Sequence, residues 1–265
     1  MKLFQIIIYL TICGFAYTQT WVLEKELRLK DSTYFWTSDE WSQLYQWKDN
    51  TVWLQNSQSQ QSFQETYKIL SDISSVQPIS GLRALIHSES QQMIGVVDNT
   101  LQLKEGLLAF FDFEFSSISH VAVSQRPDFI WLFDQYRERL ILFNINTTQA
   151  IQIVDNCFGR LDEIQISQFF EFQQNLICVL SNGSLYEFDR NLTLKNKQQL
   201  ATNTPVFGFE NKLWIIQGKS IRKLNGDQPT NPVVLPLEEY QQLKVLQDRF
   251  YFQIGQKIMV FRLKM

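Results

Sequence analysis

Pairs of short apolar runs joined by tight polar turns recur along the chain at a spacing near 40 residues, and no 3.6-residue apolar pattern is sustained. These observations predict an all-β fold. A strand repeat of that length is the signature of propeller blades, and six units are present, so the expected architecture is a six-bladed β-propeller. Composition agrees: of 265 residues, 45% are hydrophobic, 19% charged and 14% aromatic, and pleated, half-buried strands accept rings well. One domain over residues 19–265 follows. Thirty glutamines, spread along the whole chain, read as polar strand faces and turns.

The N-terminus reads as a segment outside that domain. Met1-Lys2 precedes an apolar run at residues 3–15, broken only by Gln5 and Thr11, and small or mildly polar residues follow. That is the plan of a secretory signal peptide over residues 1–18, with cleavage after Ala16 or Thr18; a buried N-terminal strand is the alternative. Ile12 in front of Cys13 breaks the lipobox pattern, so lipidation is not expected. The expected location is secreted or periplasmic. An oxidising compartment permits a Cys157–Cys178 bridge, but Cys178 sits in the apolar run LICVL, which favours a small buried hydrophobe. Sequons at Asn146, Asn182 and Asn191 matter only if the source is eukaryotic.

Within the domain, residues 21–29 form the first strand, with Trp21, Leu23, Leu27 and Leu29 on one face by the period of two. Hairpins then follow at 44–47/52–54, 93–97/101–103, 129–133/140–143, 176–180/185–188, 213–216/221–224 and 250–254/258–261. Their turns carry Lys-Asp-Asn, Asp-Asn-Thr, Ser-Asn-Gly, Gln-Gly-Lys and Gly-Gln-Lys, residues that reach the positive φ angles hairpins need. Successive second strands are spaced 49, 39, 45, 36 and 37 residues apart. Each hairpin has a preceding run, at 34–37, 82–86, 121–124, 164–170, 206–209 and 243–246. Following runs such as 149–154 and 232–237 complete four strands per unit.

The last unit has only three strands, and residues 21–29 are spare. If they complete that unit the ring closes and no long edge stays open. In this respect the chain resembles the six-bladed propellers of the NHL and TolB-like kind, which often close their ring this way. WD dipeptides, kelch Gly-Gly, YWTD and Asp-box motifs are absent, so the resemblance implies a fold and carries over no functional residue. The alternatives are a seventh blade from residues 56–80 and two stacked sandwiches.

The formal charge of −3 is scattered, with no basic stripe to neutralise phosphates, so nucleic acid is not an expected partner. No run after the signal peptide is long enough for a membrane helix. HExxH, paired cysteine ligands, GxSxG and phosphate loops are all missing, and no metal or cofactor is implied. The two histidines are expected near a central channel: His87 at the end of an innermost strand and His120 just before one. The densest charged element, Asp134-Gln135-Tyr136-Arg137-Glu138-Arg139, projects an aromatic ring and two guanidinium groups from a hairpin turn, residue types that dominate interface energetics. A solvated turn with local ion pairs explains it as well. Asp134, Tyr136, Arg137, Arg139 and His120 are therefore the binding candidates.

Two functions remain. One is a non-enzymatic extracytoplasmic binding or assembly module whose partner is a protein or a glycan. The other is a metal-assisted, lactonase-like hydrolase on the same ring. The second needs three or four oxygen ligands converging on the axis, and two or more of Asp98, Asp134, Asp155 and Asp162 within metal-bond reach of one point would favour it.

Overall fold

The computed structural model describes residues 20–56, 61–79, 82–159, 165–224 and 232–264; the expected signal peptide lies outside them. The chain opens with β1 (Thr20–Arg28). Blade 1 is β2 (Phe35–Ser38), β3 (Leu44–Lys48), β4 (Thr51–Gln55) and β5 (Ser62–Thr66). Blade 2 is β6 (Ser75–Ile79), β7 (Arg83–Ser88), β8 (Met93–Val97) and β9 (Leu103–Ala109), followed by a single 3-10 turn at Phe110–Phe113. Blade 3 is β10 (Ile118–Val123), β11 (Phe129–Asp134), β12 (Arg139–Asn144) and β13 (Gln149–Val154). Blade 4 is β14 (Ile166–Phe172), β15 (Asn175–Leu180), β16 (Ser184–Phe188) and β17 (Leu194–Gln199). Blade 5 is β18 (Val206–Phe209), β19 (Lys212–Gln217), β20 (Ser220–Lys223) and the two-residue β21 (Val233–Val234). Blade 6 is β22 (Gln242–Leu246), β23 (Arg249–Ile254) and β24 (Lys257–Lys264), with β1 as its fourth strand.

All six sheets are antiparallel and four-stranded, which makes the fold a six-bladed β-propeller. The core is divided among the six blade junctions. Trp131, Phe133 and Leu142 of blade 3 pack on Cys178, Tyr186 and Phe188 of blade 4. Trp36 and Leu44 of blade 1 pack on Tyr251, Ile258 and Val260 of blade 6. A middle strand therefore buries both faces, which is why β12 reads as the unbroken run Leu140-Ile141-Leu142-Phe143 rather than as an alternation. Cys157 and Cys178 lie in the blade 3–4 core as free, buried thiols and form no bridge; burial pushes the Cys157 thiol up to about 12 and raises that of Cys178 as well.

Ring closure is as the sequence predicts: β1 pairs with β24 from Thr20↔Lys264 to Arg28↔Lys257. The faces of β1 differ from the expectation. A bulge between Leu23 and Lys25 shifts the register, so Trp21 and Leu23 lie opposite Leu263 and Phe261 while Leu27 lies opposite Ile258. Trp21 thus enters the blade 5–6 core, with its ring 4.8 Å from that of Phe250, whereas Leu27 and Leu29 enter the blade 6–1 core. One strand serves both junctions. Glu24, released at the bulge, takes ion pairs from Arg249 at 2.8 Å and Arg262 at 2.9 Å.

Blade 2 is framed one strand away from the sequence expectation. Its innermost strand is β6, and the run expected there is β7, the second strand. Pro78 hides β6 in the sequence, because proline cannot donate to a ladder. An innermost strand pairs on one side only and tolerates it at its free edge. With this correction the third strands begin at Thr51, Met93, Arg139, Ser184, Ser220 and Lys257. Residues 56–80 supply β5 of blade 1 and β6 of blade 2, not a seventh blade.

Candidate functional site

Antiparallel order assigns each connection to a face. The upper face, where innermost strands begin, carries the blade-to-blade links and the turns between second and third strands. The lower face carries the remaining turns. Large apolar side chains stand exposed on the upper face of blades 1 to 3: Phe35 at 60%, Ile69 at 68%, Phe111 at 68% and Tyr136 at 80%. Phe35 starts β2, Ile69 and Phe111 lie in the links into blades 2 and 3, and Tyr136 tips the β11–β12 turn. Arg137 is exposed beside Tyr136. Beneath the arc, on blade 1, Tyr34 stacks on Trp53 at 4.8 Å, with the Lys30 ammonium 5.0 Å from the Trp53 ring.

The other candidates of the charged turn face inward or pair locally. Asp134 has no exposed surface, and its carboxylate accepts the Ser116 N–H at 2.8 Å and the Ser117 N–H at 3.1 Å, tying the turn to the link before β10. Arg139 pairs with Asp155 at 2.9 Å. Asp98 closes its own turn by accepting from the Thr100 and Gln102 backbones. Asp162 lies outside the described residues. Among the described residues no three His, Cys, Asp or Glu side chains are grouped to hold a metal ion.

Innermost strands line a central channel of about 450 Å³, running from Pro205 to Asp39 and Gln247. In blades 2, 3, 4 and 6 the third residue of the inner strand reaches toward the next blade. Gln77 of β6 donates to Val121 O and accepts from Val123 N–H of β10. Gln168 of β14 donates to Thr204 O at 2.9 Å and accepts from Val206 N–H at 2.8 Å. Each amide therefore satisfies two groups on a free strand edge, as a further strand would. His120 occupies the same position in β10, its ring 6.1 Å from Phe169 of β14 and its Nδ1 3.0 Å from Ser119 Oγ. In blade 5 the third residue is Gly208, which turns back toward blade 4: a Cβ there would lie 2.1 Å from the Phe172 ring. In blade 6 it is Lys244, whose ammonium donates to Trp36 O of blade 1 and lies 4.7 Å from the Trp36 ring. Lys244 sits deep in the channel yet remains open to water along it. Burial lowers its pKa to about 8.

His87 is buried on β7, away from the inner ring. Burial, and then the neighbouring His120, press its pKa down to about 4, with Asp72 opposing; burial lowers His120 as well. A folded-state pKa below the ordinary value of about 6.5 means that His87 costs nothing above that pH and destabilises increasingly as pH falls toward 4. The loss is on the order of 3 kcal/mol. His87→Gln is expected to flatten this acid limb in urea-unfolding midpoints measured from pH 7 to 4; unchanged slopes would refute the assignment.

No protein-family profile matches the chain, and no curated protein matches it in sequence. Solved structures do. The chain is similar to virginiamycin B lyase from Staphylococcus aureus, at 10% identity over 93% of this chain and 100% of that one, with a TM-score of 0.60. It is also similar to the Pan2 WD40 domain of Neurospora crassa, at 7% identity, 91% and 94% coverage and a TM-score of 0.58. A third is BBS1N, solved in complex with ARL6DN, at 10% identity, 84% and 75% coverage and a TM-score of 0.57. At such identities the likeness is one of fold, and that fold serves unrelated functions. No helix among the described residues is long and apolar enough to cross a membrane.

Proposed function

We propose that this chain is a non-enzymatic binding module that works outside the cytoplasm and holds a protein or glycan partner on the upper face of blades 1 to 3. The observation that carries this reading is the arc of Phe35, Ile69, Phe111 and Tyr136, four large side chains at least 60% exposed on one face. Exposed apolar side chains gathered on one face are costly in water and mark interaction surfaces. Arg137 beside Tyr136 supplies the aromatic and guanidinium pairing on which interface hot spots are built. Asp98, Asp134 and Asp155 commit their oxygens to local turns or to an arginine, which favours binding over metal-assisted hydrolysis. The fold supports the reading too, since BBS1N was solved with a bound partner. The compartment rests on residues 1–18.

The test uses the exported chain. Its N-terminus should begin near residue 19, and material starting at Met1 would overturn the location. The double variant Phe111→Ser/Tyr136→Ala should unfold within about 0.5 kcal/mol of wild type, as exposed positions do. It should bind the purified partner at least about tenfold more weakly, as the loss of a hot spot implies. Equal affinity would sink the assignment of this face.

A further inference from the structure

Lys244 departs from the connectors at the equivalent positions, and the difference leaves something unmatched. Gln77 and Gln168 each offer the next blade both a donor and an acceptor. Lysine has three donors and no acceptor. Lys244 satisfies Trp36 O as those amides satisfy their carbonyls, but it has no oxygen for the N–H two residues on. That N–H belongs to Ser38, which shares the edge of β2 with Trp36 O by the alternation of the pleat. Ser38 and Lys244 both line the channel. A cation and a backbone donor therefore face the cavity where the blade 2–3 and blade 4–5 junctions hold an amide oxygen.

The neighbouring carboxylates do not fill the slot. Glu171 turns back to blade 3, accepting from the Gln125 N–H at 3.1 Å and from the Trp131 indole. Asp39 closes on Gln43, at 2.7 Å to its N–H and 2.8 Å to its side-chain amide. Among the described residues, Lys244 makes no ion pair within 4.0 Å. The rest of the wall is largely apolar, with Phe170, Phe172, Phe207 and Leu243 around a space of about 450 Å³, a size that accommodates small organic ligands.

We infer that the central channel binds a small organic carboxylate, its anionic head held by the Lys244 ammonium and the Ser38 N–H and its apolar body lying along Phe170, Phe172, Phe207 and Leu243. This site is separate from the upper-face arc, so either can fail without the other. Burial lowers the Lys244 pKa to about 8, so binding is expected to weaken as the ammonium loses its proton between pH 6.5 and 9.5.

The test compares 4-phenylbutyrate with the neutral 4-phenylbutan-1-ol by calorimetric titration of the full mature chain at pH 6.5 and 9.5. The carboxylate should bind one to one at pH 6.5, with the alcohol at least about tenfold weaker, as expected for a charged hydrogen bond. Affinity for the carboxylate should fall at pH 9.5. Lys244→Gln installs the connector used at positions 77 and 168, so it should keep the wild-type melting temperature or raise it, and it should weaken carboxylate binding about tenfold. If Lys244→Gln does not fold, the carboxylate-to-alcohol ratio on the wild-type chain decides. Equal binding of the two probes, no binding of either, or undiminished carboxylate binding by folded Lys244→Gln would overturn the site.

Discussion

Removal of Thr20–Arg28 is expected to abolish the cooperative unfolding of this chain and leave an aggregating product. The deletion strips β24 of its ladder partner along its length and exposes an edge with Val260, Phe261 and Leu263, a template for intermolecular pairing. It also removes Trp21 from the blade 5–6 core and Leu27 from the blade 6–1 core, so two junctions open together. The graded form of the experiment is Leu29→Ala. Leu29 is 2% exposed between blades 6 and 1, and its truncation should cost about 2–5 kcal/mol in denaturant unfolding. A deletion variant that melts cooperatively near the wild-type temperature, or a Leu29→Ala cost below about 1 kcal/mol, would show that closure through β1 is not what holds the ring.

Asp134→Ala is expected to be the most damaging change in the charged turn, at about 2–4 kcal/mol, because it orphans the Ser116 and Ser117 amides in a site with no exposed carboxylate surface. Tyr136→Ala, two residues on, should leave stability within about 0.5 kcal/mol. Chemical denaturation of the two variants separates a structural carboxylate from an exposed contact. Equal small effects would mean that Asp134 is not tying the turn to the start of β10.

The contrast explains what could be read from residues alone. Middle strands such as Leu140–Phe143 bury both faces, so they write unbroken apolar runs, and the turns beside them carry residues with positive φ; those hairpins were legible. Outer strands were less so. The strand β17, Leu-Lys-Asn-Lys-Gln-Gln, is mostly exposed and leaves no apolar signal. The innermost strand of blade 2 hid behind Pro78, and the bulge at Glu24 hid the double role of β1. The channel connectors do carry a sequence signal: a long polar side chain, Gln77, His120, Gln168 or Lys244, stands at the middle of Val76-Gln77-Pro78, Ser119-His120-Val121, Ser167-Gln168-Phe169 and Leu243-Lys244-Val245. Abundant glutamine is thus partly a junction device. The candidate site was harder, because side-chain type does not reveal direction. Asp134 and Arg137 look alike as turn charges, yet one is sealed and the other exposed. Phe111 reads as core in any aromatic-rich β chain, yet stands in solvent.

Hydrogen exchange of the bound complex measures directly which face meets the partner. On binding, amides in the links around Ile69 and Phe111 and in the Asp134–Arg139 turn should gain protection, while the lower-face turns at residues 38–44, 172–175 and 246–249 exchange as they do in the free chain. Protection confined to those lower turns, with the upper links of blades 1 to 3 unchanged, would contradict it.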